Sequence, residues 1–148
     1  MLGTLYNTDI LTLSSQLRDG RLDNPDGSAR EVSKLCGSEL EIDVKLKDDQ
    51  VSEVALRVQA CALGQSSAAI LQDGIIGASL DEIMSARDSL YELLKGDVDK
   101  ALDSLKDTRF EKLTLLEGVR AYPMRHISTL LAFEAAVKAV TEAIGYDS

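Results

Sequence analysis

The chain has 148 residues, 25 of them acidic against 16 basic, and a net charge of -9 at pH 7. So acidic a surface argues against nucleic acid as a partner, because phosphate binding requires a basic face, and favours a basic protein or a cationic ligand. With 45% hydrophobic residues, 28% charged, 4% aromatic and no tryptophan, the chain reads as one soluble domain, residues 1–148, with an aliphatic, alanine-rich core.

No apolar run approaches the ~20 residues a bilayer requires, so no membrane is expected. The opening residues "MLGTLYNTDILTLSSQ" lack the basic segment and apolar run of a signal peptide. The expected location is cytoplasmic. Two cysteines in that setting read as free thiols, metal ligands or reactive groups rather than as a disulfide.

In chain order, "NTDILTLSSQL" places Ile10, Leu11, Leu13 and Leu17 at helical spacing, with Asn7 or Thr8 as cap. "RDGRLDNPDGSARE" is loop by its Gly, Asp, Asn and Pro content. The segment "AREVSKL" is a candidate third strand. "LEIDVKL" alternates strictly, with Leu40, Ile42, Val44 and Leu46 on one face and Glu41, Asp43 and Lys45 on the other. "KDDQ" turns the chain, and "VSEVALRVQA" returns with Val54, Leu56 and Val58 on one face, giving an antiparallel hairpin.

Helical patterns follow. "GQSSAAILQDGIIG" is small and apolar. "SLDEIMSARDSLYELLKG" opens with Ser79 and Glu82, a capping box, and ends at Gly96. "DVDKALDSLKD" is a short helix, and "RFEKLTLLEGVRAYP" a short helix or turn packed by Phe110, Leu113 and Leu116. After Pro123 a long helix carries His126, Leu130, Phe133, Val137, Val140 and Ile144 along one stripe. Helix, strands, then helices is an α+β order.

Cys61 ends the second hairpin strand just before a helix, where unpaired backbone N–H groups and the helix dipole favour thiolate. Cys36 precedes Gly37, at which the chain can bend into the first hairpin strand. Either thiol alone reads equally well as a small buried hydrophobe. Hairpin pairing brings the two to the same end of the sheet, and His126, the only histidine, heads the last helix's stripe. Two thiols and an imidazole are soft ligands suited to iron–sulfur or zinc. No Gly-x-Ser-x-Gly elbow, phosphate-binding loop or dinucleotide fingerprint is present, so the chain is expected not to be an enzyme.

The order "NPDGSA", "LCGSELEIDVKL", "VALRVQACALGQSSAAIL", "LLKG" and "VRAYPMRHISTLLAFEA" resembles the IscU/NifU-type iron–sulfur cluster assembly scaffolds, including the SufU branch, from about Tyr6 to Ala143. The resemblance implies a three-stranded antiparallel sheet packed against several helices. It also implies a transient iron–sulfur cluster, sulfur supplied by a cysteine desulfurase, and delivery to recipient iron–sulfur proteins. Some members of the family bind zinc in the same site. The family carries three cysteines, the first followed by Gly-Asp. Here Cys36 is followed by Gly37 and Ser38, Cys61 matches the second cysteine, and the third aligns with Ser128. The implied ligands of a cluster, zinc or iron are therefore Cys36, Cys61 and His126, the last able to substitute if the helix begins at or after it. Gly37, Ser38 and Ser128 line the site. Two alternatives stay open: a SufE-like persulfide acceptor using Cys61, and a degenerate member that acts only as a binding partner.

Overall fold

The computed structural model of the chain describes residues 7–35 and 37–145. Helix α1, Thr8–Gln16, starts where Asn7 Oδ1 accepts the Ile10 amide at 3.0 Å, and it buries Ile10 and Leu13. Three strands follow, β1 at Gly27–Ser33, β2 at Ser38–Lys47 and β3 at Gln50–Gln59, in the order β1-β2-β3 with antiparallel pairing throughout. The expected hairpin is β2 and β3. Asp48 and Asp49 form its two-residue turn with φ of 54° and 61°, the left-handed pair that matches strand twist.

The third strand, β1, is shifted two residues towards the N-terminus of the expected segment 29–35. It begins at Gly27, inside a stretch that reads as loop, because "GSARE" has no alternation of its own. Pairing with Val44 to Glu41 of β2 is what makes these residues extended.

The free edge of β3 is covered at two points. The Gly20 amide donates to the Leu56 carbonyl at 2.9 Å, while the Val51 amide donates to Ala78 and its carbonyl accepts from Gly77. Covering the edge removes a template for pairing with another chain.

Helices α2 (Ala62–Gly74), α3 (Leu80–Lys95), α4 (Val98–Leu105) and α5 (His126–Ile144) complete the layout with a 3-10 helix at Glu111–Ala121 and a turn of 3-10 at Pro123–Arg125. The capping box of α3 is formed, Ser79 and Glu82 exchanging bonds with each other's backbone. The 3-10 helix buries Leu113, Leu116 and Val119, every third residue, as a three-residue turn requires.

Helix α5 is buried well beyond its expected stripe. Ser128, Thr129, Leu131, Ala132, Ala135, Ala136 and Ala139 are buried as well. It lies against β1, β2, α2 and α3 and so forms the centre of the core. Alanines make this close packing possible, and the larger groups meet at one point, where Phe133 stands edge-on to Phe110 with ring centres 5.4 Å apart.

On the sheet's polar face, Asp43 was expected to point outward but is only 6% exposed. The segment 20–22 closes over it. Asp43 accepts from the Leu22 amide at 3.2 Å, from Ser28 Oγ at 2.8 Å, and from Arg57 Nη1 and Nη2 at 3.0 and 3.2 Å. Burial pushes its carboxyl up, but the Arg57, Leu22 and Ser28 bonds outweigh that and hold Asp43 below the usual carboxylate range.

Candidate functional site

Antiparallel pairing sets Glu39 opposite Gln59, so the start of β2 lies beside the end of β3. Cys61 follows two residues later as the N-cap of α2, in extended backbone (φ -66°, ψ 171°). A cysteine is a poor cap because sulfur accepts weakly. No side-chain hydrogen bond caps this helix. The first-turn amides and the positive end of a 13-residue helix therefore open at the Cys61 sulfur.

Cys61 is a free, half-buried thiol. Its Sγ lies 3.7 Å from Ser128 Oγ, the position at which the family resemblance implies a third thiol. Ser128 is itself 1% exposed, and its hydroxyl donates to the Arg125 carbonyl at 3.2 Å. Gly64 brings the two elements together. A Cβ there would stand 3.2 Å from the Ser128 carbonyl oxygen and 2.8 Å from Ala60 Cβ, so only glycine admits this approach of α2 to the start of α5.

Cys61 lines an open pocket of about 500 Å³ together with Gly37, Ser38, Val58, Gln59, Ala60, Gln65 and Arg125. Gly37, at φ 71°, turns the chain into β2, and Ser38 is 3% exposed at the head of that strand. Cys36, the first expected thiol, lies outside the described residues.

His126 is the first residue of α5, as its substitution for the third thiol requires, and is 5% exposed. Its Nε2 lies 3.1 Å from the Val119 carbonyl and 3.2 Å from that of Arg120, so that nitrogen carries the proton and donates it to the 3-10 helix. The structure thus joins Cys61 to Ser128 directly and leaves His126 only Nδ1 for any other partner. Among the described residues, no group of three or more His, Cys, Asp or Glu side chains gathers to hold a metal ion.

Sequence reasoning gave Arg125 no role, although it stands in the quoted Pro-x-Arg entry to α5. Its spacing from Ser128, three residues along one helix face, was the available signal. Among the described residues its guanidinium has no ion-pair or hydrogen-bond partner, a state it shares with Arg18 and Arg21, whereas Arg30, Arg57, Arg87, Arg109 and Arg120 are engaged.

Residues 6–129 match the NifU-like N terminal domain. The iron-sulfur cluster assembly scaffold protein IscU of Streptococcus pyogenes serotype M1 is 27% identical over 105 residues, 71% of this chain and 63% of that protein. The zinc-dependent sulfurtransferase SufU of Bacillus subtilis is 23% identical over 97% of this chain and 95% of its own length. Among solved structures, a nitrogen-fixing NifU-like protein (N-terminal) from Brucella abortus superposes with a TM-score of 0.86 at 36% identity, covering 97% of both chains. A family match over so much of the chain, with the same fold at that identity, shows that the chain belongs to the NifU-like N-terminal domain family.

Proposed function

We propose that the chain is an iron–sulfur cluster assembly scaffold or carrier, whose cargo is held at the end of the sheet where β3 passes into α2. One observation carries this reading: Cys61, a free thiol at an uncapped helix N-terminus, lines an open pocket and stands 3.7 Å from Ser128. Cys36 and Cys61 are the thiolate ligands in this proposal. Ser38, Gly37 and Ser128 line the site, and His126 joins the set through Nδ1. The partners are a cysteine desulfurase and recipient iron–sulfur proteins, and the setting is cytoplasmic. Support comes from the family match and from the likeness to IscU.

Zinc would draw on the same set, the Cys36 and Cys61 thiols and His126 Nδ1, with only the hydroxyls of Ser38 and Ser128 for a fourth ligand, and hydroxyls compete poorly for zinc beside thiolates.

Anaerobic incubation with ferrous iron and sulfide tests the proposal. Visible absorption and bound iron are expected, both falling when Cys36 or Cys61 is changed to Ala. A smaller fall for His126→Ala measures its share. Colourless, iron-free protein that remains folded would end the scaffold reading.

A second reading is favoured by the place of half-buried Cys61 in the lining of an open pocket and by the likeness to SufU. Here the Cys61 thiolate attacks the outer sulfur of a desulfurase persulfide. A new persulfide forms on Cys61, and the desulfurase thiolate leaves. Added sulfur on Cys61 by mass spectrometry, undiminished by Cys36→Ser, separates this from the scaffold.

A further inference from the structure

The pocket around Cys61 has a charge opposite to that of the chain. The protein carries 25 acidic side chains against 16 basic. Among the described residues lining this pocket, Gly37, Ser38, Val58, Gln59, Ala60, Cys61, Gln65 and Arg125, not one is acidic and Arg125 alone is a cation. Gln65 adds no charge, and its amide donates to the Ala60 carbonyl at 3.1 Å.

Arg125 is held over the pocket by its backbone rather than its side chain. It is the residue before α5, and its carbonyl accepts from Ser128 Oγ at 3.2 Å and Thr129 Oγ1 at 2.7 Å. The residue is half-buried, and its guanidinium is unpaired among the described residues. A guanidinium brought partly out of water without a carboxylate has most to gain from an anion supplied from outside.

We infer that Arg125 is the specificity residue of this pocket: it selects anionic sulfur species at Cys61, such as a persulfide or a thiolate-bound sulfide assembly, over bare divalent cations. The inference rests on the reading of Cys61 as the working thiol and deepens it. With serines at positions 38 and 128, the pocket's own side chains offer a dication no carboxylate, while Arg125 repels it. Iron combined with sulfide and thiolates has its positive charge offset, and a persulfide is itself an anion. Arg125 and the first-turn amides of α2 favour both.

The test uses the full chain carrying Cys36→Ser, so that Cys61 is the single thiol. Its alkylation rate is measured with iodoacetate, an anion, and with iodoacetamide, its neutral analogue. The ratio of the two rates reports charge selection and cancels changes in thiolate fraction or accessibility, which move both rates together. Arg125→Gln is expected to lower the ratio about fivefold at low salt, Arg125→Lys to keep it within about twofold, and added salt to bring the parent towards the Gln variant. An equal ratio in the parent and Arg125→Gln, both folded by circular dichroism, would overturn the inference. Failure of iron and sulfide reconstitution in the unsubstituted chain would end the scaffold reading and leave this ratio untouched.

Discussion

Two arginines show how this fold separates structure from function. Arg57, on the polar face of the sheet, is engaged through both terminal nitrogens, and only its buried Nε lacks a partner among the described residues. Its Nη1 donates to Asp43 and the Gly20 carbonyl, and its Nη2 to Asp43 and Glu41. Arg125, over the Cys61 pocket, has no side-chain partner among the described residues. Hydrogen bonds already made within the protein contribute to the fold, whereas donors left unused at an open pocket are available to a ligand. The two places should therefore respond in opposite ways to the same kind of substitution.

The largest expected effect is at Arg57. Arg57→Ala strands Asp43, whose side chain is 9% exposed, as a buried charge without its partner. Losing one member of such a pair costs about 3 kcal/mol. Urea denaturation should show a lower midpoint with little change in slope. Cys61 alkylation, read on the Cys36→Ser chain, should not change. A loss below about 1 kcal/mol would mean that water replaces the guanidinium and that segment 20–22 is not held by it.

The same cluster sets a pH dependence. Asp43 is held below its ordinary carboxylate range, so the unfolded chain takes up its proton first as pH falls. Its contribution is fully present above the unfolded value of 3.8 and is lost as pH drops through the lower folded value. Stability should therefore fall steeply below about pH 4, and Asp43→Asn, less stable at neutral pH, should lose less over that interval. Equal acid losses in the two chains would assign the effect to other carboxylates.

The contrast also marks what the sequence could and could not disclose. The hairpin, the Asn7 cap, the Ser79–Glu82 capping box and the α5 stripe are local patterns, and each was readable from a few adjacent residues. So was the meeting of strand ends that places Cys61, because antiparallel pairing follows from the two-residue turn. Burial of Asp43 was not readable. Alternation gives it the polar face, and only the closure of a loop some twenty residues away removes it from water. The start of β1 was hidden for a similar reason, its extended shape coming from its partner. Arg125 shows the reverse case: being unpaired is a property of everything around a residue, and no motif states it.

A smaller effect is expected where α2 meets α5. Alanine in place of Gly64 would ordinarily gain about 1 kcal/mol of helix propensity. Here the added methyl meets Ala60 Cβ and the Ser128 carbonyl, neither of which is the end of a flexible side chain. Overpacking of this kind costs about 1–3 kcal/mol, so a net loss near 1 kcal/mol is expected in thermal unfolding. Cys61 and Ser128 should also move apart, and iron retained after reconstitution should decrease. A more stable Gly64→Ala chain would show that the helices separate at no cost.

The smallest effect completes the comparison. Arg125→Ala keeps the backbone carbonyl that accepts from Ser128 and Thr129, and it removes a side chain that caps nothing and pairs with nothing among the described residues. Substitutions without such partners stay within about 0.5 kcal/mol. The unfolding midpoint of Arg125→Ala should therefore match that of the parent, while the anion preference of Cys61 disappears. If this variant instead approached Arg57→Ala in its loss of stability, Arg125 would be a structural residue with partners that form in solution, and the unused charge at the pocket would no longer distinguish the two arginines.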